Sequence, residues 1–177
     1  MLRLAVPRGY MILATFNRYL ATAWRKRPTD MSETYEVLLA DLLSELVAVS
    51  LEYSNNSVSD VFVYASTEQR WFFIDPFFAR HGEIVERHKL AGVDTSDERQ
   101  DAFLAYGTKQ LAQFAKECSA LDYAVPTEIK VHYVVATGKT DASQQYEAQH
   151  SNTSDVSVHD KSEEWMEEVR LLVRGRS

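Results

Sequence analysis

The chain has 177 residues, which is enough for one domain with a hydrophobic core and too few for two domains of ordinary size. A hydrophobic content of 45% and a charged content of 25% are typical of a globular protein and exclude a wholly disordered chain. The single cysteine, Cys118, excludes an intramolecular disulfide and fits a reducing compartment. Its place on the apolar side of a predicted helix indicates a buried thiol.

The net charge of −7 is unevenly distributed. Residues 1–30 contain six basic residues and one acidic residue, a net of +5, so residues 31–177 carry −12. A body this acidic is repelled by phosphate backbones, which argues against nucleic-acid binding and favours a basic protein partner. The chain therefore divides into a basic N-terminal extension, 1–30, and an acidic domain, 31–177.

The N-terminal extension has three interpretations. Tyr10–Trp24 is partly apolar, but Asn17 and Arg18 interrupt it, so it is too short and too polar to span a bilayer. No small-residue cleavage site marks a secretory signal. The first interpretation is an amphipathic basic helix that docks on a membrane or on a partner. The second is an organellar presequence. The third is an upstream extension of a reading frame that naturally starts at Met31. We favour the third, and we expect no membrane association.

The acidic domain begins with a predicted helix over 32–53, for which Ser32 or Thr34 can serve as N-cap. Its apolar residues recur at three- and four-residue spacing and form one stripe: Tyr35, Leu38, Leu39, Leu42, Leu46, Val49 and Tyr53. Three β-rich runs follow as an antiparallel meander: Val58–Ala65, Trp71–Ala79 and Glu83–Leu90. Proline cannot donate to a strand ladder, so Pro76 predicts a bulge or a break in the second strand.

Thr95 and Glu98 form a predicted capping box for a second helix that runs to about Leu121. Gly107 inside this helix indicates close packing on the sheet, and its buried side is predicted at Phe103, Tyr106, Leu111, Phe114, Cys118 and Leu121.

Strands are predicted at 127–136 and 140–147. In the first, a buried set of side chains alternates with a solvated set of Glu128, Lys130 and His132; the buried set is Ile129, Val131, Tyr133 and Val135. A helix at 162–173 completes the pattern, with Asp160 as its N-cap or as a charge that complements its first turn. The apolar side of this helix is predicted at Trp165, Met166, Val169 and Leu172 or Val173. The predicted fold is a single α+β domain, an antiparallel sheet of about five strands with the helices packed on it.

No motif for catalysis, a metal or a cofactor is present. Gly138-Lys139-Thr140 is not a phosphate-binding loop, because Tyr133 stands where the motif needs glycine and a polar strand follows. No histidine pair lies at helical spacing and no cysteine pair accompanies the histidines, so no zinc site is indicated. We therefore assign no catalytic residue, no metal ligand and no cofactor. A cluster of Asp75, His81 and His88, or a hydrolase site with Asp75 and His132, stays an alternative.

The last helix has an acidic side, whose simplest interpretation is a solvated face. Glu163 with Glu167, and Glu164 with Glu168, are like-charge pairs that lower helix stability, which is typical of a surface kept for a cationic partner. The predicted partner-binding residues are Asp155, Asp160, Glu163, Glu164, Glu167 and Glu168.

Residues 31–177 resemble the YezG-like immunity proteins, small cytoplasmic bacterial antitoxins that are paired with secreted polymorphic toxins. The resemblance follows the order of the elements and these segments: Val61-Phe-Val-Tyr64, Trp71-Phe-Phe, Pro126-Thr-Glu-Ile-Lys-Val, Thr137-Gly138-Lys139, Tyr146-Glu147 and Trp165. It implies a non-enzymatic cytoplasmic inhibitor that binds a cognate toxin domain, often a basic nuclease. It transfers no contact residues. The alternatives are a secretion-chaperone-like acidic binding module and a small hydrolase without a recognisable motif.

Overall fold

A computed structural model describes residues 31–152 and 155–174. The expected N-terminal extension, 1–30, lies outside the described residues. In chain order the main elements are α1 (Met31–Tyr53), β1 (Asp60–Ser66), β2 (Phe73–Arg80), β3 (Glu83–Glu86), α2 (Asp97–Ala120), β4 (Glu128–Val134), β5 (Lys139–Gln145) and α3 (Val158–Arg174). Single-turn 3₁₀ helices at Glu68–Arg70 and Arg87–Lys89 flank β2 and β3. The predicted α+β fold with five strands is confirmed.

The five strands form one antiparallel sheet in the order β3-β2-β1-β4-β5. β1 lies at the centre and pairs with β2 and β4 along its whole length. The predicted bulge at Pro76 is wrong, because β2 continues through this residue and pairs it with Val63. β3 pairs only with Phe77–Arg80, so β2 has no neighbour on that side at Pro76. The N–H that proline lacks is therefore not required for a hydrogen bond to β3.

One face of the sheet is covered by α1 and α2. Tyr53 of α1 stacks on Phe78 of β2 with ring centroids 6.2 Å apart, and its ring edge meets Phe103 of α2 at 5.2 Å. Gly107 lies against Ile74, so the predicted close packing of this glycine is confirmed. Cys118 is fully buried, as the sequence predicted.

The opposite face is covered by α3, and we call it the α3 face. Val169 joins a buried cluster with side chains from three strands, and Trp165, Met166 and Val173 pack against it. The strand residues of this cluster are Phe62, Phe77, Ala79 and Ile84. The sheet is therefore covered by helices on both sides, which explains why β1 is buried along almost its whole length.

Several helix boundaries differ from the prediction. Ser32 and Thr34, the predicted N-cap residues, both lie inside α1, which is helical from Met31, the first residue that the structure describes. The N-cap of α2 is Ser96, not Thr95, and its hydroxyl accepts a hydrogen bond from the Arg99 N–H. α3 begins at Val158, before the predicted 162.

Strand ends and burial also differ from the prediction. The third strand ends at Glu86, where a 3₁₀ turn replaces its predicted second half. Tyr106 and Leu121 were predicted to be buried but are 39% and 44% exposed, and Trp71 lies outside β2 with 78% of its surface exposed. Glu128 was predicted on the solvated side of β4, yet it is 4% exposed because it lies on the α3 face.

Candidate partner-binding surface

α3 carries five of the six predicted partner-binding residues, and its first turn is fixed by a capping box. The Asp160 N–H donates to the Ser157 Oγ at 3.2 Å, and the Ser157 N–H donates back to Asp160 Oδ2 at 2.7 Å. These hydrogen bonds from Ser157 lower the pKa of Asp160. Asp160 therefore acts first as a structural element of the helix start, as the sequence suggested.

The inner side of α3 is held by aromatic and polar contacts. Trp165 meets Phe77 edge-on with ring centroids 5.0 Å apart, and it contacts Phe62 in the same way at 6.1 Å. The Ser162 Oγ donates to Asp75 Oδ2 at 2.9 Å, and the other oxygen of Asp75 accepts from Arg87. These contacts fix the rotation of the helix and thus decide which side chains face the solvent.

The outer side of α3 presents the predicted residues to solvent. Asp160, Glu163, Glu164, Glu167 and Glu168 are exposed on the helix, and Asp155 is exposed in the segment before it. Three of the glutamates have a basic neighbour within one turn. These pairs are His159–Glu163 at 3.3 Å, Lys161–Glu164 at 2.7 Å and Arg170–Glu167. Lys161 and Arg170 therefore offset part of the like-charge repulsion that the spacing of the glutamates predicted.

Two exposed leucines follow these carboxylates in the last turn of α3, and the sequence pattern did not predict them as surface residues. Leu171 is 67% exposed and Leu172 is 63% exposed, whereas Val173 packs inward. Leu171 follows Glu164 by seven residues and Glu167 by four, so helical geometry places it on their side of the helix. The signal was a run of three apolar residues, Leu171, Leu172 and Val173, at the end of a helix whose apolar stripe needs only one of them.

A second acidic region lies on the other side of the sheet and was also missed. Five acidic residues and no basic residue occur in α1. Tyr106 of α2 donates its hydroxyl proton to Glu45 at 2.5 Å. Partial burial, and then the negative charges of Glu117 and Glu45, raise the pKa of Asp41. A count of charges by element would have revealed this region in the sequence.

The residues of the alternative enzyme hypothesis have separate partners. Asp75 is bound by Arg87 and Ser162, whereas His132 Nε2 lies 2.8 Å from Asp60. His88 pairs with Glu86 at 3.2 Å. Asp75 and His88, from the alternative cluster of Asp75, His81 and His88, have separate partners, because the 3₁₀ turn after β3 brings Arg87 to Asp75 and leaves His88 beside Glu86.

Buried Ser66 and Glu68 lie close to the partly exposed His150, a group that has the residue types of a catalytic triad but not its geometry. Ser66 Oγ is 3.2 Å from His150 Nε2, and Glu68 Oε1 is 3.7 Å from the same nitrogen. A relay needs the serine and the carboxylate on opposite ring nitrogens. The oxygens of Glu68 accept backbone N–H groups of Gln149 at 2.6 Å and Ser151 at 2.9 Å, so this carboxylate anchors a loop.

No known family model matches this chain, and no curated protein sequence matches it. Within residues 31–152 and 155–174, no three His, Cys, Asp or Glu side chains are grouped so that they could hold a metal ion. No helix in this described part of the chain has the length and apolar character needed to cross a membrane.

Proposed function

We propose that this chain is an immunity protein that binds a cognate secreted toxin with a basic, nuclease-type domain and blocks it stoichiometrically. One observation carries the proposal most strongly. The outer side of α3 exposes carboxylates that are followed in its last turn by the exposed Leu171 and Leu172, on a domain whose sequence carries a net charge of −12. The resemblance to YezG-like immunity proteins supports the same conclusion.

Each part of this surface has a role in the proposed complex. The carboxylates attract a basic partner over a distance and raise the association rate, an effect that salt weakens. The leucines supply apolar area that leaves water when the complex forms. Binding sites in protein complexes commonly combine apolar contacts with charged groups at their rim. The toxin is then covered along the path that its anionic substrate would take.

The proposed site of action is the cytoplasm, before the toxin is exported. A single buried cysteine fits that compartment, and the toxin must be neutralised where it is made. Inhibition by occlusion needs no catalytic residue in this chain. It needs only an affinity high enough to keep the toxin bound at cellular concentrations.

The decisive experiment uses the toxin encoded with this chain in its own host, with both proteins purified. Wild-type protein should inhibit the toxin at a one-to-one ratio. The variant Glu163→Gln/Glu164→Gln/Glu167→Gln/Glu168→Gln should bind at least about tenfold more weakly at low salt, because rim charges mainly change association. The matched control is Asp41→Asn/Glu45→Gln/Glu117→Gln, which removes the acidic region on the other side of the sheet and should leave inhibition unchanged.

Two results would contradict the proposal in different ways. If the α3 variant inhibits the toxin as well as the wild type and the control variant does not inhibit it, the binding surface lies on α1 and α2 and the immunity function is retained. Capture of many export substrates, with no toxin neutralised, would replace the immunity function by that of a secretion chaperone.

A further inference from the structure

β5 forms one edge of the sheet, and its outer side is open. It comes last in the strand order, and no strand among the described residues pairs with it on the side away from β4. Six of its seven side chains are exposed and the seventh is partly exposed. The helices that cover the rest of the sheet thus leave β5 in contact with solvent on both faces.

The hydrogen bonds of β4 show which of its backbone groups are directed toward β5. The Val135 N–H donates to the Ser59 carbonyl at 2.9 Å, on the side of β1. The Val134 carbonyl instead accepts from the Gly138 N–H at 2.9 Å, at the turn into β5. Because residues of an antiparallel strand bond alternately to one neighbour and the other, the even-numbered residues of β4 bond to β5.

The register between β4 and β5 extends this alternation to the edge strand. His132 lies opposite Asp141, so Asp141 bonds to β4 through its backbone. Thr140 and Ala142, on either side of it, direct their N–H and C=O groups away from the sheet. A further antiparallel strand would find donors and acceptors here at the spacing that it needs.

The two edges of the sheet differ in their protection against such pairing. β3 is four residues long, contains Glu83 and Glu86, and ends in a 3₁₀ turn. Short length and charge are common protections of an edge strand. β5 has seven residues, no proline and no glycine, and it pairs with β4 residue for residue without a bulge. Its charged residues, Lys139 and Asp141, pair with each other at 2.8 Å, so the strand is locally neutral.

The sequence of β5 is complementary to a second copy of itself. In an antiparallel pair centred on Ala142, this small side chain is the one that meets its own copy. Asp141 then lies opposite Ser143 of the second copy, whose hydroxyl can donate to the carboxylate. Lys139 lies opposite Gln145 of the second copy, whose amide oxygen accepts. No like charges face each other across the pair, which is the condition for a stable contact between strands.

Other registers fit less well. A shift of two residues in one direction places Asp141 opposite its own copy, which is destabilising. The same shift in the other direction leaves Lys139 and Thr140 beyond the end of the facing strand. A shift of one residue sets outward-directed groups against groups that already bond to β4. Side chains and backbone therefore favour the same, full-length register.

We propose that the β5 edge is a self-association surface through which two copies of this chain form a symmetric dimer with one continuous sheet. The inference is independent of the proposed function. A two-fold contact uses the same edge of both copies, so association stops at two. Seven residues a side are fewer than the roughly 20–30 of a standard interface, so the dimer is weak, with a Kd above about 1 µM.

The salt dependence of this dimer has a defined sign. Each chain carries a net charge of −7, whereas the contact itself is neutral. Added salt screens the repulsion between the two chains and should strengthen the dimer. Salt should instead weaken the binding of a basic partner, so the two kinds of complex are distinguishable.

Sedimentation equilibrium of the full chain from about 10 µM to about 1 mM covers the range of a weak dimer. The mean mass should rise from that of one chain toward twice that value and no further. The rise should be steeper in about 0.5 M than in about 0.05 M NaCl. In the ¹⁵N-labelled chain, the amide shifts of Thr140 and Ala142 should change over the same range of concentration.

Two variants test the contact and its register. Ala142→Pro removes an outward N–H but no bond to β4, and it should abolish the dimer. The matched control is Glu86→Pro on the opposite edge, where a φ of −66° already suits proline, and its dimer should be unchanged. Ser143→Asp places a carboxylate opposite Asp141 of the second copy. It should weaken the dimer about 2–30-fold, the effect of two like-charge contacts, while in its own chain the new carboxylate faces Lys130.

Other outcomes overturn the proposal. A chain that stays monomeric at about 1 mM has no such contact. Unchanged association of Ala142→Pro would place the contact elsewhere, and masses above that of a dimer would mean an open-ended contact. Amide shifts at Thr140 and Ala142 that appear only when the purified toxin is added would assign this edge to the toxin. If Ala142→Pro fails to fold, Ser143→Asp and the concentration series on the unchanged chain decide.

Discussion

Gly107 of α2 lies so close to Ile74 of β2 that a Cβ added to the glycine would overlap Ile74 Cδ1, while Leu46 Cδ2 would be 3.7 Å away. Gly107→Ala should therefore lower the free energy of unfolding by about 1–3 kcal/mol, because overpacking outweighs the roughly 1 kcal/mol that alanine gains inside a helix. Urea unfolding measures the difference.

The second half of this test shortens the neighbour. Ile74→Val removes the Cδ1 that the added Cβ would overlap. The double variant Gly107→Ala/Ile74→Val should therefore lose less stability than the sum of the losses in the two single variants. Additive losses would show that the glycine is needed for another reason.

Asp75→Asn should change how stability depends on pH. Burial raises the pKa of Asp75 above its ordinary value of 3.8, although Arg87 and Ser162 lower it. The folded protein then holds this proton more tightly than the unfolded chain does. The stabilisation is complete below about pH 4 and is lost as the pH rises through the folded-state value. Urea unfolding of both proteins gives the difference between the free energy of unfolding of the wild type and that of the variant. This difference, wild type minus variant, should fall as the pH rises from about 4 to 7.

The other charged groups near Asp75 are Arg87, Glu86 and His159. A histidine can change charge within the same range, so the series is repeated with His159→Gln in both proteins. If the stability difference between wild type and Asp75→Asn instead grows as the pH rises, then folding lowers the pKa of Asp75 and the prediction is wrong.

Glu68→Gln should have the opposite pH signature. Burial acts to raise the pKa of Glu68, but hydrogen bonds from Ser151 and Gln149 outweigh it and lower the pKa below the ordinary 4.5. Its stabilisation is therefore present above about pH 4.5 and is lost as the pH falls. At neutral pH the variant should lose about 1–3 kcal/mol, because an amide nitrogen then faces backbone N–H groups. The exposed Glu83→Gln serves as the control in thermal unfolding, and an equal loss there would refute the anchoring role.

Leu171→Ser with Leu172→Ser should separate binding from folding. Both side chains are more than 60% exposed, so the melting temperature should change little. Binding to the toxin should weaken by about 1–3 kcal/mol if the leucines leave water in the complex. Val169→Ser, at a residue of the same helix that is 8% exposed, should instead lower the melting temperature. Unchanged toxin affinity in the leucine variant would exclude these side chains from the interface.

Local patterns in the sequence were sufficient for most of the fold. Alternation at Ile129, Val131 and Tyr133 predicted β4, and all three are buried. The wrong predictions depended on contacts far along the chain. Whether Pro76 disturbs β2 depends on where β3 ends, and Glu128 is buried because of the face that α3 covers.

The candidate surface was only partly predictable for the same reason. The acidic residues of α3 could be named from their spacing, but its rotation is set by Ser162 and Asp75, which are far apart in the sequence. Periodicity alone left Leu172 and Val173 as equal candidates for the inner side. A small pocket lined by Phe73, Leu104, Arg87 and His159 could not be foreseen, because these residues come from four segments that meet only in the folded chain.

The central position of β1 has a consequence for the order of folding. Its partner on one side, β2, follows it directly in the chain, but its partner on the other side, β4, comes only after α2. During synthesis a β1–β2–β3 hairpin unit can form early, with one edge of β1 open until the ribosome has made β4. Closing that long loop carries an entropic cost, so pairing of β1 with β4 is expected to limit the folding rate.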